Sequence, residues 1–157
     1  MRVPESPIYV AAFKRFGAAP TPIAWGEIYS ALQTGVVQGA ENTPEAVLTA
    51  SLQEVTKYLS LSNHIEAPAT ISTSEQAFSS LPVEYEEALL SAAAEAGKYD
   101  LELTVSRDRL ARDKLKTKLT FVEPDVASFR TAIRHDQIEL VSSEKGKELI
   151  KRLQEIK

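Results

Sequence analysis

Within the first 42 positions stand the residues best suited to chemistry: Arg2, Trp25, Glu41 and Asn42. An arginine guanidinium is a rigid fork of donors that stays charged at physiological pH and grips a carboxylate through two parallel hydrogen bonds. Taken alone, Arg2 beside the amino terminus reads as a solvated surface charge. The Asn42 amide can donate to a carboxylate and accept from a hydroxyl. Its competing role is a cap for the helix that Thr43-Pro44 begins. Trp25 is the only tryptophan, and a tryptophan on a buried strand ordinarily packs into a core. Glu27 and Glu41 suggest an acid/base pair, but no nucleophile, metal ligand set or cofactor loop accompanies them, so an enzyme is not expected.

The remaining candidates read more plainly. His64 follows a helix at the start of an extended segment and reads as structural; His135 reads as an exposed helical residue. The stretch Arg107–Lys118 holds six basic and two acidic side chains. It reads as a solvated helix face, because the whole chain carries 18 basic against 22 acidic residues, a net charge of −4. That balance disfavours a nucleic-acid binder driven by phosphate contacts. Cysteine is absent, which removes disulfides and thiolate chemistry. No metal is expected from two isolated histidines, and nothing calls for a cofactor.

These residues need elements to position them. At 157 residues with 43% hydrophobic and 25% charged side chains, the chain can build a folded domain and is not disordered. Its first part alternates short strands and helices, an α/β pattern. Arg2-Val3 reads as a strand, Ser6-Pro7 to Gly17 as a helix, Thr21–Trp25 as a strand and Glu27–Thr34 as a helix stopped by Gly35. Val36-Val37 begins a third strand ending at Gly39-Ala40-Glu41-Asn42. A helix from Thr43-Pro44 follows, with Leu48, Leu52, Val55 and Leu59 as its apolar stripe. Residues 64–73 read as an extended crossing segment. Beyond Pro82 the pattern becomes one helix from Val83 to about Lys118, with Leu89, Ala96, Leu103 and Leu110 recurring every seven residues. Leu119–Val122 reads as a strand, and helices are expected around 125–141 and 143–155. A helix spanning roughly 54 Å exceeds a small domain and normally bridges two lobes.

Several ordered runs now coincide: Arg2-Val3-Pro4-Glu5-Ser6-Pro7, the stretch Pro20-Thr21-Pro22-Ile23-Ala24-Trp25-Gly26-Glu27-Ile28-Tyr29, then Ala31-Leu32-Gln33-Thr34-Gly35-Val36-Val37 with Gly39-Ala40-Glu41-Asn42, and Lys57-Tyr58-Leu59-Ser60-Leu61-Ser62-Asn63-His64. Together they resemble the DctP-type solute-binding proteins of TRAP (tripartite ATP-independent periplasmic) transporters, over the second half of such a protein. The chain departs from the usual pattern at Gln38, where an aspartate is common, and at Thr43, where a proline is.

The resemblance implies a type II-like clamshell of the periplasmic-binding-protein class, present here as a fragment with a long lobe-spanning helix. It implies capture of a small organic acid (a dicarboxylate, a keto acid or a sialic-acid-like compound) for a membrane permease, with periplasmic location. It assigns Arg2 to the ligand carboxylate, Trp25 to the cleft wall and Asn42 to ligand contact, with Glu41 either touching ligand or positioning an arginine. Residues 1–66 would form the second-lobe core, 67–107 the hinge-crossing strand and first half of the long helix, and 108–157 the return to the second lobe. Met1–Pro7 shows no charged segment followed by an apolar core, so no signal peptide is read there. The competing expectation is a truncated orphan that binds no ligand and self-associates, forming a homodimer through the long helix.

Overall fold

In the computed structural model, which describes residues 1–65, 68–133 and 143–155, the chain is an α/β protein with parallel pairing. Strand β1 (Arg2–Val3) passes into helix α1 (Pro7–Arg15) and returns as strand β2 (Thr21–Pro22). β1 and β2 pair in parallel, Arg2 opposite Thr21 and Val3 opposite Pro22. Proline at the first position of α1 supplies a preset φ where no N–H is needed. Gly17, at φ 79°, ends it in the left-handed conformation that a side chain would strain. Ala18 N–H then bonds Phe13 O and Gly17 N–H bonds Lys14 O, both at 3.0 Å, satisfying two end carbonyls.

A single 3-10 turn (Trp25–Glu27) leads into α2 (Ile28–Gln33), whose Ile28, Ala31 and Leu32 are buried. Gly35, at φ 77°, ends α2 in the same way. Val36-Val37 is not a strand: Val37 N–H folds back onto Ala31 O at 3.2 Å and its side chain enters the core. The third parallel segment is a bridge between Ala40 and Arg2.

α3 runs from Pro44 to Thr49, capped by Thr43 Oγ1, which accepts from Ala46 N–H at 3.2 Å. The single helix expected through Leu59 is interrupted. Ser51 takes a left-handed φ of 56°, Leu52–Glu54 form a 3-10 turn, and Leu59 lies in strand β3 (Tyr58–Ser60). After the short helix α4 (Glu75–Phe78) comes α5, Val83–Leu115, 33 residues and about 50 Å long. It delivers strand β4 (Thr120–Val122), parallel to β3 with Tyr58 opposite Thr120. Helices α6 (Val126–Ile133) and α7 (Glu144–Glu155) close the described chain. The rest of the helix expected to 141, with His135, lies outside the described residues.

Two packing groups hold these elements. The larger buries Ile28, Leu32, Val37, Val47 and Leu52 with Leu115 at the end of α5 and Leu119 just beyond it. The smaller is aromatic: Phe13 of α1 and Phe16 at its C-terminal cap meet His64, and Phe16 meets Phe129 of α6, edge to face. Most of α5 joins neither. Val83, Tyr85, Leu89, Leu90, Tyr99, Leu101 and Val105 are exposed. Among the described residues no helix is long and apolar enough to cross a membrane.

Candidate functional site

β1 sits between two neighbours. Thr21 N–H and Ile23 N–H donate to Met1 O and Val3 O on one side, and Arg2 N–H donates to Gly39 O at 2.7 Å on the other. This places Arg2, the turn carrying Trp25, and Glu41-Asn42 on three adjoining segments. Segments ending at the edge of a parallel sheet are where ligands collect in α/β folds.

Arg2 is 4% exposed, so it is no solvated surface charge. Its Nε–H donates to Ile23 O at 2.9 Å, and Nη1 stands 3.4 Å from Glu41 Oε1. Burial lowers its pKa, while the negative charge of Glu41 works against that fall. Among the described residues, Nη2 meets no acceptor. A buried guanidinium with two anchored nitrogens and one uncommitted nitrogen is oriented, and its remaining donors suit an anion.

Glu41 is shared. Its Oε2 lies 3.7 Å from His64 Nε2, and His64 Nδ1 is 2.8 Å from Ser62 Oγ. Asn63, at φ 45°, makes the turn that brings Ser62 and His64 together, a conformation asparagine tolerates better than most residues. The result is a line Arg2–Glu41–His64–Ser62. His64 reads as structural in the sequence, where nothing signals its contact with Glu41. The run Leu61-Ser62-Asn63-His64 was visible, but its meeting with a glutamate 23 positions earlier is tertiary.

Asn42 is partly buried. Its Oδ1 accepts from Thr43 N–H at 3.0 Å, while the cap of α3 belongs to Thr43. The amide nitrogen of Asn42 therefore keeps both donors free of protein acceptors among the described residues. Trp25 is 49% exposed. The expected strand ends at Pro22, and the indole stands on the 3-10 turn instead of in the core. Glu27 is exposed at the end of the same turn, and Glu41 stands between Arg2 and His64.

A cavity of about 390 Å³ opens between Gly39–Thr43 and Tyr58–His64, reached also by Asp108 and Arg112 of α5. Glu41 and Asn42 line it; Arg2 and Trp25 do not. The structure thus joins Arg2 to Glu41 and Glu41 to the cavity, with Trp25 apart on the adjoining turn. Among the described residues no group of three His, Cys, Asp or Glu could hold a metal ion.

Known proteins resemble this chain in sequence and fold. Residues 1–143 match the family described as bacterial extracellular solute-binding protein, family 7 (DctP). A solute-binding protein of Roseobacter denitrificans is 34% identical over 147 residues, covering 92% of this chain and 45% of that one. The crystal structure of a TRAP periplasmic solute-binding protein from Escherichia fergusonii, apo and open, superposes with a TM-score of 0.87 at 32% identity, over 96% of this chain and 51% of that one. The Xanthobacter autotrophicus counterpart, with bound β-D-galacturonate, gives 0.86 at 30% identity, over 97% and 51%. The chain spans about half the length of these proteins.

Proposed function

The chain belongs to the bacterial extracellular solute-binding proteins of family 7, periplasmic binding proteins rather than enzymes, and from that premise we propose that it supplies one wall of a site for a small organic carboxylate. Arg2 takes the carboxylate through its uncommitted donors. Asn42 donates its amide N–H groups to the carboxylate or an adjoining hydroxyl. Trp25 lays its exposed indole against the ligand's carbon skeleton. Glu41, held between Arg2 and His64, keeps the guanidinium in place. The ligand class is an acid sugar or a related organic acid, since a neighbour at 30% identity is seen with bound β-D-galacturonate. The acid is then passed to the membrane permease of a TRAP-type secondary transporter. In this reading residues 1–66 and 108–157 build one lobe, and 67–107 cross to the other.

One observation carries the reading: a buried arginine anchored by a backbone carbonyl and a glutamate, with Nη2 left without an acceptor among the described residues. The test joins this chain behind the half of the Xanthobacter protein that it does not match, and titrates galacturonate by calorimetry. Truncating one partner of a buried charge pair costs ~2–5 kcal/mol, so Arg2→Ala should weaken binding at least about thirtyfold. Arg2→Lys should also bind poorly, because a point charge cannot reproduce the fork. Near-unchanged affinity in Arg2→Ala would refute the assignment.

A second reading rests on the exposed apolar residues of α5. In it the chain by itself binds no acid and forms a homodimer through that helix.

A further inference from the structure

β1 and β2 end at the same edge of their sheet, with Val3 opposite Pro22 and Ile23 N–H still donating to Val3 O at 3.1 Å. Parallel strands leave such an edge side by side. The loop Pro4-Glu5-Ser6 and the turn Trp25–Glu27 therefore project together beyond the strand that carries Arg2. The loop is stiff. Ser6 N–H donates to Pro4 O at 2.7 Å, a three-residue turn with Glu5 at its apex. Pro4 fixes its own φ, and Pro7 keeps Ser6 extended at φ −133° and ψ 126°. Glu5 is exposed on this turn, and among the described residues its carboxylate has no hydrogen-bond or ion-pair partner.

Charge on this rim is one-sided. Neither residues 4–9 nor residues 23–29 include a lysine or an arginine. Each segment carries one exposed carboxylate, Glu5 in the first and Glu27 in the second. The cation beside them is Arg2, and Glu41 at 3.4 Å offsets part of its charge. A first ligand carboxylate still finds the uncommitted donors of Arg2. A second carboxylate, carried further along the ligand, would meet an acidic rim, and like charges set against each other at an interface are strongly disfavoured. A hydroxyl in the same place would instead donate to a carboxylate in a charge-assisted hydrogen bond. Discrimination of this kind comes from repelling the wrong ligand as much as from attracting the right one.

We infer that Glu5 is a specificity-determining residue: it selects an acid with a single carboxylate and several hydroxyls, and rejects a dicarboxylate of similar length. This role depends on the carboxylate site proposed at Arg2. With one carboxylate on the guanidinium, the rest of the ligand lies over Trp25 and its hydroxyls come within reach of Glu5. Glu5 stands three positions after Arg2, at most about 10 Å along an extended chain, a separation that a sugar acid can bridge.

Two acids on the same carbon skeleton provide the test: galacturonate with one carboxylate and galactarate with two. Both are titrated by calorimetry into this chain joined behind the unmatched half of the Xanthobacter protein. The joined protein should bind galacturonate at least about tenfold more tightly than galactarate. Glu5→Gln keeps the size of the side chain and an accepting oxygen but removes the charge. It should shrink that ratio at least about fivefold, chiefly by tightening galactarate. Glu5→Lys should shrink it further. The other half is the same throughout, so the change in ratio belongs to Glu5. A ratio that Glu5→Gln leaves unchanged overturns the inference, as does a joined protein that prefers galactarate. Arg2→Ala separates this result from the reading beneath it. Retained galacturonate affinity in Arg2→Ala defeats the carboxylate site, and the role of Glu5 with it. Loss of binding in Arg2→Ala with a ratio indifferent to Glu5→Gln defeats the role of Glu5 alone.

Discussion

Leu115 and Leu101 occupy one uninterrupted helix in opposite surroundings. Leu115 is 0% exposed, packed with Ile28, Leu32 and Leu52; Leu101, four turns earlier, is 66% exposed. Over α5 only Ala111 and Leu115 are buried. The last two turns are held by tertiary packing. The preceding stretch is helical through composition: Ala88, Ala92, Ala93, Ala94 and Ala96 with leucines and glutamates are strong helix formers. Most helices owe their stability to a packed face, yet the apolar residues on this one face outward. A helix can therefore be continuous in geometry and divided in what sustains it.

The division can be tested by substitution. Leu115→Ala should lower the unfolding free energy by ~2–5 kcal/mol, the usual cost of a core leucine, whereas Leu101→Ala should stay within ~0.5 kcal/mol. Denaturant titration of both variants checks this, and equal losses would break the comparison. A smaller effect should come from Gly97, the one glycine in α5. A Cβ added there meets nothing within 4 Å, so Gly97→Ala should strengthen the helix by ~0.5–1 kcal/mol. Exchange of the neighbouring amides should slow, while the global unfolding midpoint moves less. An unchanged local rate would mean that the outward stretch is already held by something else. The smallest effect belongs to the pair Arg107 Nη1–Glu45 Oε1 at 3.7 Å, which bridges α5 and α3 with side chains 57% and 35% exposed. Arg107→Ala should cost no more than ~1 kcal/mol, and less in high salt. A larger loss would place the boundary between the two regimes earlier along the helix.

Much of this fold was legible because some residues act alone. Pro7 and Pro44 marked helix starts, and Gly17 and Gly35 marked helix ends through positive φ angles. The long helix was legible in outline, though it stops at Leu115 and not Lys118. Periodicity misled where two elements kept one spacing. Leu48, Leu52, Val55 and Leu59 look like a single stripe, but Ser51 breaks the helix and Leu59 pairs with a strand more than 60 positions away. Trp25 reads as part of a strand because its neighbours are apolar; Pro22 ends the pairing and the indole stays outside. At the candidate site the residue types were visible, and the burial of Arg2 was not. Glu41 meets Arg2 from 39 positions away and His64 from 23, distances at which sequence spacing carries no geometric information.

The anchoring of α5 has a mechanical consequence. Clamped through Ala111, Leu115 and Leu119 and largely unsupported toward Val83, the helix is a cantilever about 50 Å long. Tilting it at the clamp by about 5° would sweep its far end through roughly 4 Å at that length. Repacking that shifts Leu115 by a fraction of an ångström would thus be amplified at Val83. Whatever is fastened to the outer turns moves on a lever whose fulcrum lies in the core beside α3.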